Sequence, residues 1–168
     1  MIIAVTTTFT VHAQGGDKAL GGSFLIAGDE TILVGIGAKF QYNITEPIRL
    51  EGSFSYFFPK KESQKIWGVP VKTTLNMWNI SVNGHYLFSL SDKIKIYPLA
   101  GLGVVGLNAK ASALGQSESG SKNHFGVNLG VGSDFNITDN IALNLEWRYM
   151  LVKDGKILFA LAGLAYKF

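Results

Sequence analysis

Two of the three histidines lie close in sequence to serines, the pairing from which a hydrolase site would be built. His85 follows Ser81 by four residues, and His124 follows Ser121 by three. In such a site an imidazole activates a hydroxyl, and a carboxylate orients the imidazole. Neither pair has an acid at a suitable spacing. We therefore interpret His85 as a hydrogen-bonding histidine and His124 as a loop histidine, and we predict no catalytic residue.

Other kinds of chemistry have still less support in the sequence. There are no paired histidines at metal-ligand spacing, no phosphate-binding glycine loop and no dinucleotide fingerprint, so we predict neither a metal nor a cofactor. The chain has no cysteine, which excludes thiol catalysis and disulfides. The net charge is only +3 and the lysines are scattered, so we expect no nucleic-acid partner.

The remaining polar side chains alternate with apolar ones at a period of two. Residues 48–58, for example, place Leu50 and Phe54 on one face and Arg49 and Glu51 on the other. The same alternation recurs at residues 32–42, 78–88, 125–135 and 141–151. We predict that the polar faces meet as one network, which consists of Lys39, Arg49, Glu51, Asn79, Asn83, His85, Asn128, Asn144, Glu146 and Arg148.

The elements that carry these residues are predicted to be eight strands. Each alternating segment is 11 residues long, close to what a tilted strand needs to cross a bilayer. Residues 18–28 and 94–104 are also predicted as strands, although glycines and Pro98 interrupt their alternation. Residues 157–168 form the eighth predicted strand. No stretch of 18 apolar residues occurs, so a transmembrane helix is not expected.

The connections between these strands alternate in length. Three short turns lie near residues 43–47, 89–93 and 136–140, whereas two longer polar connections span residues 59–73 and 109–123. The second long connection is rich in serine and glycine, and we expect it to be mobile. Short turns at one rim and longer loops at the other are typical of an antiparallel, up-and-down transmembrane β-barrel.

Three features decide which face of the barrel is outside: the composition of the polar face, the positions of the aromatic residues, and the two ends of the chain, which are described in the next paragraph. The polar face is built mainly from glycine, serine and asparagine, which suit a narrow interior better than a solvated surface. The aromatic residues form two bands near the strand ends, as interfacial belts require. The belt residues are Tyr42 and Tyr86 toward the turns, with Tyr56, Trp78, Trp147 and Tyr149 toward the loops. We therefore predict that the apolar face meets lipid.

The two ends of the chain resemble export and assembly signals. Residues 1–13 resemble a signal peptide without its basic start, which would leave residues 14–168 as the barrel. Gly163, Tyr166 and Phe168 fit the pattern glycine-x-x-aromatic-x-aromatic at the carboxyl terminus. This pattern resembles the β-signal that the barrel-assembly machinery recognises in bacterial outer-membrane barrels. Leu161 departs from it, because the family usually has a polar residue there.

Residues 14–168 as a whole resemble the small bacterial outer-membrane β-barrel superfamily, which includes the OmpX-like and OmpA-transmembrane-like barrels. The resemblance implies periplasmic turns and termini, extracellular loops, and contact with outer-membrane lipid and lipopolysaccharide. Lys60, Lys61, Lys65 and Trp67 are the candidates for that contact or for an unknown extracellular partner.

The leading functional hypothesis is a structural or surface-interaction barrel whose polar lumen is largely plugged. Eight strands leave an interior that side chains can fill, and charges there must pair. Two alternatives stay open. A small pore would need an open lumen, and a lipid A-modifying enzyme would need the clustered histidine, serine and acid.

Overall fold

The computed structural model describes residues 16–28, 32–66, 69–113, 116–153 and 155–168. The predicted signal segment, residues 1–13, lies outside them. Within the described part, no helix is long and apolar enough to cross a membrane. The strands are β1 (Lys18–Ala27), β2 (Leu33–Asn43), β3 (Ile48–Ile66), β4 (Val69–Tyr86), β5 (Phe88–Ser89), β6 (Ile94–Ala113), β7 (Gln116–Asn136), β8 (Ile141–Val152) and β9 (Gly155–Lys167).

The sheet closes on itself. Each strand pairs antiparallel with its sequence neighbour along most of the sheet, β9 returns to pair with β1, and β4 pairs with β6. The two-residue β5 continues β4 along the same edge of β6 after an interruption at Leu87. Because β4 and β5 together act as one strand of the wall, the barrel is eight-stranded. The predicted eight-stranded antiparallel barrel is therefore confirmed.

The period-two alternation sorts the side chains into an apolar outside and a largely polar inside. Phe40 and Phe54 expose nearly half of their surface, whereas Glu51 and Asn83 are completely buried. This arrangement is the reverse of that in a water-soluble protein, where large apolar side chains are mostly inside.

The three short turns share one hydrogen-bonding device, which fixes the length of the connection. The backbone N–H of Ile48 donates to Thr45 Oγ1 (3.2 Å), and that of Ile141 donates to Thr138 Oγ1 (3.0 Å). In the middle turn Ser91 Oγ accepts from Ile94 (3.2 Å). A hydroxyl that caps a backbone N–H a few residues later is a common turn-forming contact. We call this end of the barrel the turn rim.

The two long connections predicted as loops are instead strands, and this prediction was wrong. β3 pairs with β4 as far as Ile66 and Val69, with one bulge after Phe57, and β6 pairs with β7 as far as Ala113 and Gln116. In β7, Ser117, Ser119 and Ser121 alternate with other residues, and the antiparallel register of both hairpins continues past the barrel wall. We call this opposite end the hairpin rim.

The interior near the hairpin rim contains an apolar layer that the sequence reasoning missed. Its buried members pack together across the barrel, and the rings of Phe57 and Phe159 lie 5.9 Å apart. The layer consists of Leu25, Ala27, Leu33, Phe57, Met77, Val105, Met150, Phe159 and Leu161. The polar side chains in the rest of the interior therefore border this apolar layer on the side toward the hairpin rim.

Candidate functional site

The lumen contains an ion pair that joins β3 to β7. Arg49 donates from Nη1 to Asp134 Oδ2 (2.5 Å) and from Nε to His85 Nδ1 (3.1 Å). The guanidinium carbon lies 4.6 Å from the centre of the Tyr97 ring, and His85 stacks on that ring at 4.6 Å with an angle of 6°. Arg49 is thus held by a carboxylate, an imidazole and an aromatic face.

Asn144 connects this ion pair to the next group of charges. Its Nδ2 donates to Tyr97 Oη (2.5 Å) and to Asp134 Oδ1 (2.6 Å), while its Oδ1 accepts from Lys39 Nζ. Both oxygens of Asp134 are therefore engaged, one by Asn144 and one by Arg49.

Lys39 lies between two carboxylates from opposite walls of the barrel. Its Nζ is 3.3 Å from Glu51 Oε2 and 3.7 Å from Glu146 Oε2. Gln41 donates to Glu51 (2.8 Å), and Arg148 Nη1 lies 3.4 Å from Glu146 Oε1.

Amides extend the polar network beyond its ion pairs. Arg148 Nη2 donates to Asn79 Oδ1 (3.1 Å), and Ser81 donates to the same oxygen (3.0 Å). The side-chain amides of Asn83 and Asn128 are in contact at 2.9 Å. Hydrogen bonds from these neutral groups lower the cost of burying the charges.

The formal charges of this network balance when His85 is neutral. The cations are Lys39, Arg49 and Arg148, and the anions are Glu51, Asp134 and Glu146, all buried. Removing one partner of a buried pair costs about 3–5 kcal/mol, because a charge is left without compensation. The arrangement is therefore suited to holding the walls together, and each charged member depends on the others.

Among the residues that the structure describes, Glu51, His85 and Glu146 form the one cluster whose donor atoms could be considered for a metal. One donor atom of each lies within 4.8 Å of the others. However, His85 Nδ1 accepts a hydrogen bond from Arg49 Nε, so the neutral imidazole carries its hydrogen on Nε2 and has no free lone pair there. The Lys39 ammonium also lies against both carboxylates. The donor set does not fit a metal ion.

The two histidine–serine pairs do not assemble into a nucleophilic site. His124 is in register with the inward-facing Val105, whereas Ser121 is three residues away and so lies on the opposite face of β7. Ser81 shares the inner face with His85 but donates its hydrogen bond to Asn79.

All ten residues predicted for the polar network are buried in the barrel. The network predicted from the sequence included neither Asp134 nor Tyr97, although both are central to the cluster. Tyr97 lies in β6, where Pro98 interrupts the alternation pattern, and it is directly opposite Gly132. A Cβ at Gly132 would lie 2.4 Å from the Tyr97 ring, so the glycine leaves the space that this ring occupies. A large residue paired with a glycine was the feature of the sequence that could have indicated an inward-facing Tyr97.

The six predicted belt residues lie on the outer face of the barrel, and one of them is displaced from its predicted band. Trp147 was predicted to lie toward the loops. It occupies the middle of β8 and lines an outer groove together with Phe88 and Ile96, which lie beside the turn rim. The tilt of the strands brings these positions to the same height, which linear spacing cannot show.

The terminal residues form the seam that closes the barrel. Phe168 donates its backbone N–H to Lys18 O (2.9 Å), and the side chains of Tyr166 and Phe168 are exposed on the outer face. A Cβ at Gly163 would lie 2.3 Å from Gly22 O, so glycine permits the close approach of β9 to β1.

Comparison with known proteins gives one family. The sequence model described as "Outer membrane protein beta-barrel domain" matches residues 1–168. The outer membrane protein PagN of Salmonella typhimurium is 30% identical over 138 residues, which cover 74% of this chain. The match covers 57% of PagN, so the chain spans a little more than half the length of that relative.

Solved structures show the same fold. The attachment invasion locus protein Ail of Yersinia pestis superposes with a TM-score of 0.64 at 20% identity, covering 92% of this chain and 100% of Ail. Neisserial surface protein A gives a TM-score of 0.64 at 18% identity, with coverage of 92% and 98%. One of the Ail structures holds the heparin analogue sucrose octasulfate.

Proposed function

This chain belongs to the outer membrane protein β-barrel domain family, and from that premise we propose that it is a surface-interaction protein. Its contact element would be the sheet that β3, β4, β6 and β7 form beyond the hairpin rim. The lumen residues would hold the barrel rigid beneath it. In this orientation the hairpin rim is extracellular, and the turns and both termini are periplasmic.

The protruding sheet is the observation that carries the proposal. β4 and β6 remain paired as far as Lys72 and Ser112, well beyond the barrel wall. On the outer sides, among the described residues, β2 pairs with β3 only to Phe57, and β8 pairs with β7 only to Gly126. The four central strands therefore stand higher than their neighbours.

Both sides of this sheet are edges among the described strands. An edge strand presents backbone N–H and C=O groups that can pair with a strand of another protein. The β3 edge carries Pro59, Lys60 and Lys61, residue types that discourage such pairing. The β7 edge instead carries small polar residues around Gly120, where a Cβ would meet no other atom within 4 Å. We propose that partners pair with the β7 edge.

Shortening one hairpin at a time tests this proposal. Deleting residues 110–119 and joining Ala109 to Gly120 removes the upper β7 edge but keeps the barrel, whereas deleting residues 62–73 shortens the β3 side. Bacteria that express each variant would be counted after binding to epithelial cells. We expect adhesion to fall with the first deletion and to persist with the second. Full adhesion by the first, correctly folded variant would refute the edge proposal.

We also propose that the lumen conducts no steady current. The ion network fills the middle of the barrel, and the apolar layer that includes Phe57 and Phe159 lies above it. A water-filled path would have to pass both. Ions cross an apolar constriction poorly because they lose hydration there.

A second candidate function is binding of sulfated polysaccharide. The Ail structure with sucrose octasulfate shows a related barrel with such a ligand. Lys122 and Lys153 are exposed at the hairpin rim of this chain and carry the appropriate charge. Titration with sucrose octasulfate, with Lys122→Gln and Lys153→Gln as variants, would test this candidate. Unchanged affinity in the double variant would exclude these lysines as the site.

A further inference from the structure

The wall of the barrel is indented on its outer face, beside the turn rim. The groove there has a volume of about 350 Å³ and crosses four neighbouring strands, β5 to β8. The ring of Phe88 borders it on β5, and the indole of Trp147 borders it on β8. Three strand spacings separate these borders, roughly 14 Å between backbones, which leaves space for one further aromatic side chain between the two rings.

Two outward rows of side chains give the groove its shape. In one row Trp147 pairs with Val131, which pairs with Pro98. In the next row, toward the turn rim, Ser133 lies two strands from Phe88. Each row has its large ring at one border of the groove and smaller side chains beyond it, so the depression lies between the rings.

Two polar groups lie at this groove, on a surface that is otherwise apolar. Ser133 faces outward because its neighbours Gly132 and Asp134 face the lumen. Trp147 exposes 52% of its surface. Within the described part of the chain, neither the Ser133 hydroxyl nor the Trp147 indole N–H has a hydrogen-bond partner. The hydrocarbon of a membrane offers none, so both groups favour a contact that pairs them.

We propose that the groove binds Trp147 from a second copy of this chain, so that two barrels in one membrane form a symmetric dimer. Copies in one membrane share their orientation, so the two-fold axis of the dimer runs along the membrane normal and keeps every residue at its height. The groove and Trp147 lie at the same height, because the indole is part of the border of the groove. An axis that passes between them therefore seats each indole in the groove of the other copy.

The contacts in this dimer satisfy both polar groups. The indole of the second copy lies between Phe88 and Trp147, and its N–H donates to the Ser133 hydroxyl, which can accept. Lipid tails are as apolar as the groove, so shape and hydrogen bonds favour the dimer more than burial does. An acyl chain could fill the groove but has no donor for Ser133. Because two convex walls touch over only a few strands, we expect a reversible dimer.

This inference does not depend on the strand-edge proposal, and it concerns the opposite end of the barrel. The residues predicted to contact lipopolysaccharide belong to the hairpin side, and among them the Lys65 side chain and Trp67 lie outside what the structure describes. A dimer carries two protruding sheets, and two linked binding elements hold a surface with many partner molecules more tightly than one does.

Dimerisation in lipid vesicles tests the proposal. Because the chain has no cysteine, Lys153→Cys at the exposed hairpin rim gives one dye position, and energy transfer between labelled copies reports association as the protein is diluted with lipid. We expect Trp147→Leu to weaken the dimer by at least about 30-fold and Ser133→Ala by about 5- to 10-fold. Phe40→Leu is the matched control. It removes a similarly exposed ring near the turn rim on β2, on the opposite wall, and should leave the affinity unchanged.

Mixing two variants distinguishes an indole seated in a groove from general adhesion between barrels. Trp147→Leu has a groove but no indole, whereas Ser133→Leu has an indole but a filled groove. Neither variant can form the contact with itself, and a mixed dimer forms it once. We expect the mixed dimer to be about 5- to 10-fold tighter than either homodimer.

Each of three results would overturn the proposal. The first is monomers at every ratio of protein to lipid, which is the result expected if an acyl chain occupies the groove. The second is equal affinity of Trp147→Leu and Phe40→Leu, and the third is a mixed dimer no tighter than the homodimers. Heat-modifiable migration on gels verifies that each variant is folded. Adhesion of the shortened hairpins is measured separately, so these results do not decide the strand-edge proposal.

Discussion

Arg49 and Asp134 face each other across the barrel interior, 2.5 Å apart and almost fully buried. They come from β3 and β7, which are not neighbours in the sheet. The ion pair therefore ties together walls that backbone hydrogen bonds do not join directly.

Replacing Asp134 with Asn should destabilise the barrel by about 3 kcal/mol, because Arg49 is left as a buried charge without its partner. Urea unfolding in lipid vesicles measures the difference. The control is Asp139→Asn in the exposed turn of residues 137–140, which should change stability by about 0.5 kcal/mol or less. Equal effects of the two substitutions would contradict the role given to the ion pair.

Glu146→Gln should also destabilise the barrel, by about 3 kcal/mol, because both Arg148 and Lys39 lose a charged partner. We expect no gain of conductance, since the apolar layer is unchanged. Planar-bilayer recordings provide the second measurement. Large, steady single-channel currents from the wild type would refute the filled lumen and favour the pore.

A lysine on the lipid-facing surface should lower the free energy of unfolding strongly only where the side chain lies in the hydrocarbon layer. Val82 lies midway between Trp78 and Tyr86 on the outer face of β4, so Val82→Lys should cost about 2–4 kcal/mol. Thr74→Lys lies on the same face of the same strand, on the hairpin-rim side of Trp78, and should cost about 1 kcal/mol or less. Similar values at both positions would mean that the membrane does not lie where the aromatic residues indicate.

Deleting Phe168 should slow assembly and lower the yield of folded protein in bacteria. The deletion removes the last aromatic residue and a backbone hydrogen bond to Lys18 at the seam. Phe168→Ala separates the two effects, because it keeps the backbone and removes only the ring. We expect this variant to assemble slowly in cells but to unfold in vitro as the wild type does. Assembly of both variants at the normal rate would exclude a role in recognition.

The sequence predicted the lumen residues better than it predicted their partners. Alternation places Arg49, Glu51, Glu146 and Arg148 inside. The i, i+2 spacing applies equally to Arg49 with Glu51 and to Glu146 with Arg148; the structure contains the second contact, whereas Arg49 pairs with Asp134. The sequence does not predict that Lys39 contacts both Glu51 and Glu146, which come from opposite walls of the barrel. That contact depends on the stagger of eight strands around the closed barrel, which no single segment encodes.

What the sequence determined by itself was the identity of the faces, the fold and the family resemblance. Each of these follows from a pattern that is local or repeats along the chain: period-two alternation, recurring short turns and a terminal aromatic motif. Closure of the barrel decided the rest. It brought Asp134 and Tyr97 to Arg49 and gathered apolar residues from separate strands into one layer. It also extended the predicted loops as a paired sheet, because backbone hydrogen bonding continues wherever a neighbouring strand is in register.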